Sequence, residues 1–132
     1  MAVPILKQGP FLIASIQAAL TDTDVLRLQD DVVHLQDDIM RQVGRYRSRG
    51  IVVDVTALDV MDSFVSRSLR GIAHMTRLRG AETVIVGIQP EVAFAMVQLG
   101  MNFEDVHTAL DLEEGLAFLL DKLTAEPSAG GG

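Results

Sequence analysis

The stretch that decides the fold is Ile51-Val52-Val53-Asp54-Val55-Thr56-Ala57-Leu58-Asp59-Val60-Met61-Asp62-Ser63-Phe64. Its first five residues are β-branched and apolar except for Asp54, the composition of a parallel strand buried on both faces. A short connector follows, and the chain enters a helix at Asp62-Ser63, where either side chain can cap the free amides of the first turn. Spacing predicts that this helix runs from about Ser63 to Arg79 and is closed by Gly80. A second apolar strand, Glu82-Thr83-Val84-Ile85-Val86-Gly87-Ile88, then stops at Gln89-Pro90. Strand, helix, strand in this order make a parallel pair joined by a right-handed crossover.

The flanks extend the same alternation. Upstream, Val25, Leu28, Val32, Leu35, Ile39, Val43 and Tyr46 form one stripe of a long amphipathic helix. Thr23 or Asp22 can cap it, late arginines complement its dipole, and Gly50 is expected to end it. Before it, Val3–Gln8 and Phe11–Ile16 read as a hairpin around Gly9-Pro10. Downstream, Pro90 suits the first turn of a helix over Glu91 to Leu99, which Gly100 stops. A short strand is expected near Asp105–Thr108. Asp111-Leu112-Glu113-Glu114 is an acidic variant of the capping box and starts a last helix to about Thr124. The prediction is a single α/β domain over residues 1–124, with a mixed, mostly parallel sheet of about five strands and about four helices. Residues 125–132 form a Gly-rich tail, expected to be flexible.

Composition narrows the function. The chain has 132 residues, close to the common size of one domain, which is about 100–150 residues. Apolar residues make up 48% and charged residues 22%, a globular balance. Eighteen acids against eleven Lys and Arg give a net charge of −7, which disfavours general nucleic-acid binding. No apolar run is long enough to span a bilayer, and no signal peptide stands at the N-terminus, so neither membrane insertion nor export is expected. The absence of cysteine removes disulfides, thiolate metal sites and thiol nucleophiles.

Catalytic patterns are missing too. His34, His74 and His107 lie far apart, and no H-E-x-x-H, P-loop, G-x-G-x-x-G or G-x-S-x-G pattern occurs. His34 and His74 read as surface residues; His107 is undecided. Asp54 could suggest a phosphate-accepting receiver aspartate, but that chemistry needs an acidic pair for Mg²⁺ and a nearby Lys; the first strand carries no acidic pair, and neither Thr83–Pro90 nor the last strand has a Lys. No enzymatic activity, metal or cofactor is expected.

The Ser63 helix has one further feature. At 100° per residue, Ser63, Arg67, Arg70, His74 and Arg77 fall within about 80° of one another, while Val65, Leu69, Ile72 and Ala73 point toward the sheet. A phosphate on Ser63 would meet free helix amides and the positive dipole end, one turn from Arg67, with Asp59 and Asp62 opposing it.

Asp54-Val55-Thr56 leaving a strand and Asp62-Ser63 starting a helix, within this architecture, resemble the STAS domain of bacterial anti-sigma-factor antagonists. Ile5-Leu6-Lys7 with Leu12-Ile13, Ser15-Ile16-Gln17, Asp62-Ser63-Phe64 and Gly87-Ile88-Gln89-Pro90 resemble the stressosome core antagonist of the RsbS type, over about residues 3–122. The resemblance implies a cytoplasmic, non-enzymatic switch. Ser63 would be phosphorylated by a serine kinase of the histidine-kinase-like ATPase fold, which the unmodified protein sequesters together with sensor-bearing STAS paralogues. Self-association is expected, and Thr56 is a second candidate for modification. The partner-binding residues implied are Asp59, Asp62, Phe64, Arg67, Gln89 and Pro90. Phe64-Val65 stand where many simpler antagonists carry Ser and Gly, which favours the stressosome role over direct binding of an anti-sigma kinase. A small-molecule-binding STAS module is the other alternative.

Overall fold

The computed structural model describes residues 4–16, 22–58, 63–98, 100 and 106–125, with 22–33, 63, 64 and 125 described by their backbone. Strands β1 (Ile5–Gln8) and β2 (Phe11–Ser15) are followed by helix α1 (Asp22–Tyr46), strand β3 (Gly50–Asp54) and helix α2 (Ser63–Leu78). Strand β4 (Glu82–Val86), helix α3 (Pro90–Gln98), strand β5 (His107–Ala109) and helix α4 (Leu112–Ala125) complete the order. The sheet runs β1-β2-β3-β4-β5; β1 is antiparallel to β2, and the other neighbours are parallel. This is the expected α/β architecture. The 126–132 tail lies outside the described residues.

Alternation along the strands builds two cores. Leu12, Ala14, Ile51, Val53 and Ile85 face one side, where they pack with Leu35, Ile39 and Val43 of α1, Val65, Leu69 and Ile72 of α2, and Val92 and Met96 of α3. Phe11, Ile13, Val52, Val84 and Val86 face the other, against Leu119 of α4. Ile51, Val52, Val53, Val84, Ile85 and Val86 are fully buried. Each such side chain stabilises by about 1.5–3 kcal/mol relative to exposure, which explains why the central strands tolerate no interior charge.

Several boundaries differ from the sequence reading. Helix α1 ends at Tyr46 and not at Gly50, which is instead the buried first residue of β3. Arg47 takes a left-handed conformation, φ 51°, and the Ser48 amide donates to the Val43 carbonyl at 3.3 Å. That is a Schellman closure with arginine where glycine is usual. Tyr46 is 42% exposed rather than part of the core stripe. Its ring has Arg45 at 5.5 Å and Lys7 at 5.8 Å, within cation–π reach. Strand β3 stops at Asp54 and β4 at Val86, and β5 sits at His107–Ala109 instead of around 105–108. At the start of α4, the Glu114 amide donates to Asp111 Oδ1 at 2.9 Å. The Glu114 carboxylate reaches back to the Leu110 amide, also at 2.9 Å, so the box closes one residue earlier than the standard form.

One buried polar pair ties α2 to the sheet. Thr76 Oγ1 donates to the Ala73 carbonyl at 3.0 Å and lies 2.7 Å from Thr83 Oγ1 of β4. Because the Thr76 proton is used on the helix, Thr83 is the donor between the two hydroxyls. Thr76→Val should therefore strand the Thr83 hydroxyl and cost about 1–3 kcal/mol, whereas Thr83→Val leaves Thr76 satisfied and costs markedly less. Urea unfolding of the two variants checks this asymmetry.

Candidate functional site

Strands β3 and β4 are parallel and in register, Asp54 opposite Val86, so the chain leaves both at the same edge. Three residues lace the two exits together. Asp54 Oδ1 accepts from the Thr56 amide at 2.9 Å and from the Thr56 hydroxyl at 2.6 Å. Such an Asx-type turn gives the connector a defined first step out of the strand. The Val55 amide still donates to the Val86 carbonyl at 3.0 Å, and Gln89 Nε2 donates to the Thr56 carbonyl at 2.7 Å. Fully buried Leu58, whose amide donates to the Val55 carbonyl at 2.9 Å, anchors the connector in the core.

Gly87 makes this contact feasible. Its φ of 81° lies in the left-handed region, and a Cβ there would collide with the Thr56 side chain. The backbone after β4 turns sharply under Thr56 and delivers Gln89 to it.

Around this edge the sequence candidates fall as follows. Ser63 and Phe64 are the first two residues of α2, described by their backbone; Asp59 and Asp62 lie outside the described residues. Arg67 is exposed one turn into α2, Gln89 is half-buried, and Pro90 is exposed as the first residue of α3. The structure thus brings the Thr56 connector and the Gln89-Pro90 turn into direct contact. Thr56 is exposed, yet its hydroxyl donates to Asp54. A phosphate there would break that bond and lie against a carboxylate, which weighs against Thr56 as an acceptor.

The outer face of α2 has the expected character. Val65, Leu69, Ile72 and Ala73 are buried; Arg67, His74 and Arg77 are exposed, and Arg70 is half-buried. Arg67, Arg70 and His74 line a groove of about 490 Å³ shared with Gln36 of α1, whose Nε2 donates to the Ser68 carbonyl at 3.3 Å. On α3, beside the Gln89-Pro90 turn, Phe94 is 66% and Val97 76% exposed. Of the remaining histidines, His34 is exposed as expected, and His107 stacks on Phe118 at 3.5 Å between ring centroids. Among the described residues no helix is long and apolar enough to cross a membrane.

Two residues that shape this edge escape the sequence reading. The sequence reading takes Asp54 as a strand residue and a rejected receiver aspartate, and Asp54-Val55-Thr56 as part of the STAS resemblance, although the Asp-x-Thr spacing is also that of an Asx turn. Gly87 was read as a strand residue, although glycine two residues before Gln89 marks a turn. Gly87→Ala should cost about 1–3 kcal/mol through backbone strain and the clash with Thr56. Gln89→Ala should cost about 0.5–1.5 kcal/mol through one lost hydrogen bond. Chemical denaturation ranks the two, and faster amide exchange at Thr56 should accompany both.

A family model for the STAS domain matches residues 7–115. Among curated proteins, the RsbT co-antagonist protein RsbRA of Bacillus subtilis (strain 168) is 30% identical over 83 residues, 63% of this chain and 30% of that protein. The RsbT co-antagonist protein RsbRD of the same organism is 30% identical over 79 residues, 60% of this chain and 28% of that protein. The chain therefore spans less than one third of the length of these relatives. Among solved structures, a serine-to-glutamate variant of Moorella thermoacetica RsbS superposes with a TM-score of 0.74 at 30% identity, covering 92% of this chain and 97% of that one. A chain from the stressosome, described as a signal integration and transduction hub, gives 0.72 at 31% identity, covering 94% and 100%. With its five-stranded mixed sheet and the family match running from β1 into α4, the chain belongs to the STAS-domain family.

Proposed function

We propose that this STAS domain is a non-catalytic stressosome subunit that sequesters a partner serine kinase of the histidine-kinase-like ATPase fold and releases it when Ser63 is phosphorylated. The observation that carries the reading is the position of Ser63 as the first residue of α2, on the same edge as the laced Thr56–Gln89 exits. Likeness over nearly whole chains to an RsbS and to a stressosome chain supports it. Sensor-bearing STAS paralogues and further copies of this chain complete the proposed assembly, in the cytoplasm.

The physics of the switch is a local change of charge. Phosphate adds about −1.5 to −2 charges at the helix start, where free amides and the dipole accept it. Arg67 lies one turn on, and Asp54 sits at the end of the neighbouring strand, so the added charge redistributes the field of this edge. The kinase would contact the start of α2, the connector from Thr56 through Asp59 to Asp62, and the Gln89-Pro90 turn. Phe94 and Val97 offer it apolar surface next to that turn. A kinase packing there, or bringing its own carboxylates near Phe64, is penalised once phosphate is present. The second reading, a simple antagonist bound to one anti-sigma kinase, predicts a small complex only.

A cognate kinase with ATP and Mg²⁺ should add one phosphate, found on Ser63 by peptide mass spectrometry. Ser63→Asp should weaken kinase binding by at least about tenfold, equivalent to about 1.4 kcal/mol, while Ser63→Ala binds and blocks release. Both variants should stay folded by circular dichroism, since losing a cap costs only about 0.5–2 kcal/mol. Equal kinase affinity for Ser63→Ala and for the fully phosphorylated protein overturns the switch. Size-exclusion chromatography after co-expression with a sensor-bearing paralogue separates the stressosome role, which gives a large assembly, from the simple antagonist.

A further inference from the structure

The edge of the sheet where β3 and β4 begin, opposite the Ser63 edge, carries a concentration of positive charge. The turns entering these strands bring Arg47, Arg49 and Arg79 around one cleft of about 440 Å³ between the end of α1 and the turn after α2. Among the described residues that line it there is no carboxylate, in a chain with eighteen acids and eleven Lys and Arg. Glu82, opposite Gly50 in the sheet, lines a neighbouring cleft that shares Arg49 and Gly80 with this one.

Three observations give this cleft the character of a built site. Ser48 lines it and is 4% exposed, and its Oγ has no hydrogen-bond partner among the described residues. A buried hydroxyl without a partner is unfavourable, and a ligand oxygen arriving in the cleft would supply the acceptor it lacks. Arg47 holds its left-handed backbone, φ 51°, at a position where glycine would be free of strain. Arg79 lies across Gly44, its Nη1 3.4 Å from where a Cβ on that residue would stand, so the guanidinium packs over the end of α1 at ordinary contact distance. The negative end of the α1 dipole also faces this end of the molecule. With that of α2, which ends at Leu78 just before Arg79, it amounts to about one charge, against three permanent guanidinium charges.

We propose that this cleft binds a phosphate group, free or esterified, through the guanidinium groups of Arg47, Arg49 and Arg79 and the hydroxyl of Ser48. Arginine forks match tetrahedral oxyanions through paired N–H donors, and a serine hydroxyl supplies the short additional donor. The site is separate from Ser63: it sits where the strands start, and Ser63 follows the end of β3. It therefore stands or falls independently of the kinase-switch reading.

The test is a titration of the whole chain with inorganic phosphate and, separately, with phosphoserine, at fixed ionic strength, read by backbone amide shifts. Saturable shifts confined to residues 47–49 and 79–81 are expected. Arg79→Gln and Ser48→Ala should each weaken binding by about tenfold, the loss of one charge-assisted contact. Ser48→Ala should not lower the melting temperature, because it removes an unpartnered hydroxyl. Arg41→Gln, whose guanidinium pairs with Asp38 at 3.3 Å outside the cleft, should bind as the parent does. Binding of phosphate and phosphoserine alike assigns recognition to the phosphoryl group, and a preference for one identifies the source. Shifts that never saturate, an equal loss in Arg41→Gln, equally tight binding of acetate, or unchanged affinity in both site variants would each overturn the proposal.

Discussion

Strand β3 has protein on both of its faces, and most of the architecture follows from that. Ile51 and Val53 pack under α1 and α2, while Val52 packs toward α4. A strand enclosed in this way accepts a polar side chain only where it emerges, and Asp54 is the first residue to do so. The helices must then lie in two layers, and the parallel neighbours must end together. The loops that follow β3 and β4 meet because burying both faces leaves the chain no other exit.

At that exit the polar groups do structural work close to the surface. Asp54 spends one carboxylate oxygen on Thr56, and Thr56 presents its carbonyl to Gln89. Leu58 turns the connector back into the core before α2 begins. The described part of the connector, to Leu58, is thus tied to the exit of β4 by hydrogen bonds and close packing. In the proposed switch, a phosphate on Ser63 would act on an edge with a defined shape, and recognition of shape together with charge is what an interaction switch requires.

The two ends of the sheet differ in character. One combines α2's first turn with exposed Phe94 and Val97; the other gathers arginines around a buried hydroxyl. Net charge alone hides this division, because −7 is a sum over the whole chain and says nothing of where the cations stand. Schellman closure at Arg47 is part of the same arrangement, since it ends α1 early enough for Ser48 and Arg49 to enter β3 beside Arg79.

Local pattern alone determined the element order, the single α/β domain and the inward face of α2. Each rests on periodicity and on residue types whose burial is decided within a few turns of chain. The D-S-F stretch and its resemblance to STAS antagonists were likewise legible, because a helix start after a buried strand is a local event. Tyr46 and Gly50 were misplaced for the converse reason: a left-handed arginine can end a helix that composition would carry to the next glycine. The pairing of Thr56 with Gln89, thirty-three residues apart, and the need for glycine at 87 depend on two strands lying side by side. So does the cleft of Arg47, Arg49 and Arg79, whose members come from two separate turns. A linear pattern records which residues are polar or apolar; only the folded sheet decides which polar groups from distant turns share one surface.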